Sequence, residues 1–84
     1  MTDDLKQALE RFLTGEDTTI LAANHLEALL DAAYPDDEFI QEAVVALAQY
    51  RPDGGQFLYD TPELQRQLTK VRDYLRRNLG LSNI

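Results

Sequence analysis

Cysteine and tryptophan are absent from this chain of 84 residues, and histidine and serine occur once each, as His25 and Ser82. The lack of cysteine excludes a disulfide framework, a thiolate nucleophile and every cysteine-based zinc site. With one histidine and one serine, the serine near the chain end, a Ser-His-Asp constellation is very hard to build. His25 beside Glu27 or Asp31 reads as a helix-surface residue rather than a metal ligand. Glu38 and Glu42, four apart, lack the histidine partners that complete carboxylate metal sites in helical bundles. Gly54-Gly55 has neither the lysine nor the strand-to-helix context of a phosphate-binding loop and reads as a turn. No catalytic residue, metal site or cofactor is therefore expected, and the chain is not expected to be an enzyme. Long apolar runs are also missing, none approaching the ~20 residues of a membrane span. The opening Met-Thr-Asp-Asp-Leu is acidic where a signal peptide is basic, so the expected location is the cytoplasm.

What is present suits a small packed domain. The apolar fraction of 44% is that of a globular chain, and the length allows one domain over residues 1–84. A chain this short buries only roughly 60% of its unfolded surface on folding. A second copy would add stability, so a monomer or weak homodimer is expected.

The apolar pattern predicts an all-α fold. Leu5, Leu9, Phe12 and Leu13 repeat with helical period over residues 3–14, with Thr2 or Asp3 as cap and Gly15 as stop. Asp17 and Thr18 offer capping oxygens for a second helix running to about Ala33, its buried arc read as Leu21, Ala22, Leu26, Leu29, Leu30 and Ala33. Tyr34-Pro35-Asp36-Asp37 interrupts the pattern and starts a third helix carrying Phe39, Ile40, Ala43, Val44, Leu47 and Tyr50. Residues 51–55 hold the strongest turn signal, and Phe57 and Tyr59 are expected to pin the following segment to the core. Thr61-Pro62 reads as a cap and first helical residue for a last helix through Leu64, Leu68, Val71, Leu75 and Leu79, ended by Gly80. Four amphipathic helices with mostly short connections predict an antiparallel up-and-down bundle.

Charge is unevenly distributed. Residues 1–60 hold 13 acids and 3 bases, net −10, whereas residues 61–84 hold 2 acids and 5 bases, net +3. Asp36, Asp37 and Glu38 suit a helix N-terminus, and Arg76 and Arg77 a C-terminus, through the macrodipole. Glu27, Asp31, Glu42, Asp53 and Asp60 need another explanation, and they add to one negative field if helices two and three are antiparallel neighbours. Such a field steers a basic partner inward and repels nucleic acid.

Between Glu42 and Leu75 the chain reads Ala-Leu-Ala-Gln-Tyr-Arg-Pro-Asp over residues 46–53, then Tyr59-Asp60, then a charged helix with Val71 and Leu75. This half of the chain resembles the colicin D-type immunity protein family. The resemblance implies a small acidic helical bundle that binds a cognate ribonuclease toxin domain and occludes its basic, tRNA-binding cleft. It places Asp53, Tyr59 and Asp60 in the matched loop. Charge alone adds Asp31, Asp36, Asp37, Glu38 and Glu42 as partner-binding candidates. The competing expectation is a structural or regulatory helical protein-interaction module, monomeric or homodimeric, with no toxin partner.

Overall fold

The computed structural model describes residues 3–52 and 58–78, and within them the chain forms four helices. They are α1 (Asp3–Thr14), α2 (Ile20–Ala33), α3 (Glu38–Ala48) and α4 (Thr61–Asn78). Each helix packs on its chain neighbours and α4 closes back on α1, so the four form a ring around one core.

The directions follow from contacts at the two ends. At one end the Gln65 side chain donates to the Phe12 carbonyl (3.0 Å), the Phe12 and Tyr50 rings meet edge to face, and the Tyr50 hydroxyl reaches the Thr18 carbonyl (2.6 Å). The end of α1, start of α2, end of α3 and start of α4 therefore lie together. At the opposite end Phe39, near the start of α3, stacks on Tyr74, in the last part of α4. The bundle is antiparallel and up-and-down, as the pattern of apolar residues predicts.

The core comprises Leu5, Leu9 and Phe12 from α1, Ala23, Leu26 and Leu30 from α2, Ile40, Ala43, Ala46 and Leu47 from α3, Tyr50, and Leu64, Leu68, Val71 and Leu75 from α4. Two positions depart from the periodic reading. Leu21 is 80% exposed, and Ala23 is buried in its stead. At about 100° per residue Leu21 lies some 140° round the helix from Leu26, outside the stripe that Leu26 and Leu30 define. Ala33 is likewise exposed, because the chain leaves the helix there for the α2–α3 turn.

Helix ends show which side chains satisfy the orphan amides. Gly15 takes φ +83, a left-handed conformation open to glycine at little cost, and its N–H returns to the Phe12 carbonyl (3.2 Å). The α2 cap is Thr19, not Thr18: its hydroxyl oxygen accepts from the Ala22 N–H (3.1 Å), while Asp17 accepts from both the hydroxyl and the N–H of Thr19. Asp37 is extended and caps α3, accepting from the Ile40 N–H (3.2 Å). For α4 the cap is Asp60 rather than Thr61, with its carboxylate accepting from the Glu63 N–H (3.0 Å). A carboxylate outcompetes a hydroxyl for an amide at a helix N-terminus because it also meets the positive end of the helix dipole. Thr61 is thereby free to bond Tyr50 (2.7 Å).

The α3–α4 connection is clipped at its base. The Arg51 N–H donates to the Tyr59 carbonyl (2.9 Å) and the Tyr59 N–H to the Gln49 carbonyl (3.2 Å), forming a parallel bridge between Tyr50 and Tyr59. Tyr59 packs against the core as expected. Thr2, Asp53, Phe57, Leu79, Gly80 and Ser82 lie outside the described residues.

Candidate partner-binding surface

The acidic candidates fall into two groups. Asp31 on α2, Asp36 in the α2–α3 turn, and Glu38 and Glu42 on α3 are exposed. None of these four takes part in an ion pair, the only two pairs among the described residues being Arg11–Glu16 (3.7 Å) and Arg72–Asp73 (3.5 Å). Carboxylates on neighbouring helices with no such partner add to one negative field, which salt screens.

Glu38, Glu42 and Val45 follow at i, i+4 and i+7, so they share the solvent face of α3. Val45 is 55% exposed although it belongs to an apolar helix. Asp31 lies about 120° round α2 from His25, which faces the α1 side, and so points toward α3. Together these residues make an acidic face with an apolar spot beside it, a combination that suits protein contact: carboxylates steer, and the valine offers surface to desolvate.

The second group holds the fold. Asp37 accepts from the Ile40 N–H through one oxygen and from the Tyr74 hydroxyl (2.5 Å) through the other. The Tyr74 bond, with help from the backbone amides, keeps the Asp37 carboxyl below its ordinary range and raises Tyr74 above its own. Asp60 is spent on the α4 cap, and Tyr59 is half-buried with its backbone in the bridge to Gln49 and Arg51. Asp37, Tyr59 and Asp60 thus shape the scaffold. Of these only Asp37 was legible as a helix-start residue, since Asp directly before an acidic-apolar run is a capping pattern; Asp60 takes the place read for Thr61.

Two features escaped the reading of the sequence. A hollow of about 230 Å³ between α1 and α2 is lined by Ala8, Arg11, Asp17, Leu21, Ala22 and His25. A shallower one of about 210 Å³, lined by Phe39, Lys70, Asp73, Tyr74 and Arg77, joins α3 to the basic side of α4. Among the described residues no group of three or more His, Asp or Glu side chains converges to hold a metal ion, and no helix is long and apolar enough to cross a membrane.

Comparison with protein-family models, curated proteins and solved structures finds no match to this chain.

Proposed function

We propose that the chain is an immunity-type inhibitor that docks its acidic α2–α3 face on the basic cleft of a cognate nuclease toxin, in the manner of a tRNase inhibitor. The observation carrying this reading is the set of exposed carboxylates Asp31, Asp36, Glu38 and Glu42, unpaired among the described residues, with the exposed Val45 farther along the same face of α3. The resemblance of residues 42–75 to colicin D-type immunity proteins supports the same assignment. Mechanistically, the face competes with nucleic acid for the toxin's lysines and arginines and associates quickly because opposite fields steer the encounter. No cofactor and no direct contact with nucleic acid or membrane is required, and the setting for such an inhibitor is the bacterial cytoplasm.

The test is capture of partners from the source cells on immobilised protein at low salt, followed by elution with rising salt. A single basic nuclease domain, inactive while bound and released by salt, supports the reading. Its failure to appear, with only non-basic proteins recovered, overturns it. With such a partner in hand, Asp36→Asn, Glu38→Gln and Glu42→Gln combined should slow association roughly tenfold or more and leave dissociation less changed. An unchanged on-rate would remove this face from the interface. Asp37 is left intact in that variant because it caps α3.

A second reading is favoured by Leu21, 80% exposed over the α1–α2 hollow. An apolar side chain presented there suits a structural or regulatory helical module that has no toxin partner. Leu21→Gln should abolish binding to any partner of that kind and leave toxin binding intact.

A further inference from the structure

We infer that the α3–α4 face is a self-complementary surface on which two copies of this chain pair about a two-fold axis. The face carries a stripe of each sign side by side. On α3 the exposed Glu38 and Glu42 stand one turn apart, and on α4 the exposed Arg66, Lys70 and Arg77 follow at i, i+4 and i+11. Between the stripes lies the Phe39–Tyr74 stack, with ring centroids 4.5 Å apart, in the hollow that Lys70 and Arg77 also line. Among the described residues Glu38, Glu42, Arg66, Lys70 and Arg77 form no ion pair, and all five side chains are exposed.

The stack sets the axial register of the two stripes. Because α3 and α4 run in opposite directions, Glu42, three residues after Phe39, and Lys70, four before Tyr74, both lie toward the same end, about 4.5 and 6 Å from the stack. Glu38 and Arg77 lie toward the other end, about 1.5 and 4.5 Å from it. Each acid is thus nearly level with a base on the adjacent helix. A two-fold axis parallel to the helices and lying in the face keeps these levels while exchanging α3 for α4. It lays Glu42 of one copy on Lys70 of its mate and Glu38 on Arg77, twice over, with the aromatic pairs between them. An isologous contact of this kind closes at two copies, with Arg66, about 12 Å from the stack, outside the matched pairs.

Charge complementarity selects a second copy as occupant. A purely basic partner matches only α3 and a purely acidic one only α4, whereas this chain presents both at the right levels. α3 is about 16 Å long and α4 about 27 Å, so over their shared length two helices about 10 Å apart offer roughly 300 Å² per copy, the scale of a weak and reversible interface. The pairing does not depend on the toxin reading. Where both hold, toxin and second copy compete for Glu38 and Glu42.

The experiment is sedimentation velocity of the full chain over a concentration series up to about 1 mM, where a weak dimer populates. The wild-type chain should pass from monomer to dimer. Two charge-reversed variants, Glu38→Lys/Glu42→Lys and Lys70→Glu/Arg77→Glu, alter only exposed positions and should each need at least roughly tenfold more protein to pair. Mixed in equal amounts they should restore a dimer at least as tight as the wild type, because each then presents to the other the sign it lacks. A monomeric wild type throughout, variants that pair as well as the wild type, or a mixture that stays monomeric while circular dichroism shows both variants folded, would each overturn the proposal.

Discussion

Tyr50 brings together more of the molecule than any other polar side chain described. Its ring is buried against Phe12, and its hydroxyl donates to the Thr18 carbonyl, so the one remaining proton in the pair must come from Thr61. Tyr50→Phe keeps the ring and leaves a carbonyl and a hydroxyl unpaired at the junction of α2, α3 and α4. A loss of about 1–3 kcal/mol is expected in urea unfolding, with an unchanged denaturant slope. The leucines of α2 make the opposite contrast. Leu26 is fully buried and Leu26→Ala should cost about 2–5 kcal/mol, whereas Leu21→Gln should change stability by less than about 0.5 kcal/mol. Both leucines belong to the same apolar count, and only their angle about the helix axis separates them.

At the level of the helix, the capping residues decide where α3 and α4 begin. Asp37 ties the α3 N-terminus to α4 through Tyr74, and its carboxyl is held low by that bond. The unfolded chain titrates this carboxyl near about 3.9. A depressed folded value means that the stabilisation is fully present above that pH and is lost as the pH falls through the folded value. Comparing urea midpoints at about pH 7 and about pH 2.5, Tyr74→Phe should lower stability at neutral pH and narrow the difference between the two conditions. An equal acid loss in both proteins would place the sensitivity elsewhere. Asp37→Ala removes the cap as well and should cost about 1 kcal/mol at neutral pH. Gly15→Ala meets no neighbouring atom but must hold a left-handed φ, so about 1–2 kcal/mol should be lost to strain alone.

Across the whole molecule, charge is uneven: among the described residues the α2–α3 side exposes Asp31, Asp36, Glu38 and Glu42 and most cations lie on α4, while Asp4, Glu10, Glu16 and Glu63 are exposed elsewhere. Rates of association with a basic partner should therefore fall steeply as salt rises, while dissociation changes little, which stopped-flow measurement at several ionic strengths checks. If two copies pair through α3 and α4, thermal midpoints should rise with protein concentration, and charge reversal on either helix should remove that dependence. Both effects draw on carboxylates that form no ion pair among the described residues.

The four helices and their order were legible in the sequence, because the 3.6-residue repeat of leucine, valine and alanine, the glycine at position 15 and the proline-aspartate breaks act locally, although α3 starts at Glu38 rather than within the Pro35-Asp36 turn because Asp37 is extended and caps it. The one-sided charge was legible too, as a plain count. Which oxygen caps a helix was not: at α4 the Asp60 carboxylate takes the cap and the Thr61 hydroxyl turns to Tyr50, and at α2 Thr19 caps while Asp17 braces it. The acidic candidates were likewise sorted by packing alone, Asp37, Tyr59 and Asp60 into the scaffold and Asp31, Asp36, Glu38 and Glu42 onto the surface. Local pattern determines which segments coil, since hydrogen bonds and apolar period repeat within a few residues. The facing of acid and base stripes across Phe39 and Tyr74 depends on how two helices distant in the chain slide and turn against each other, and only the closed bundle decides that.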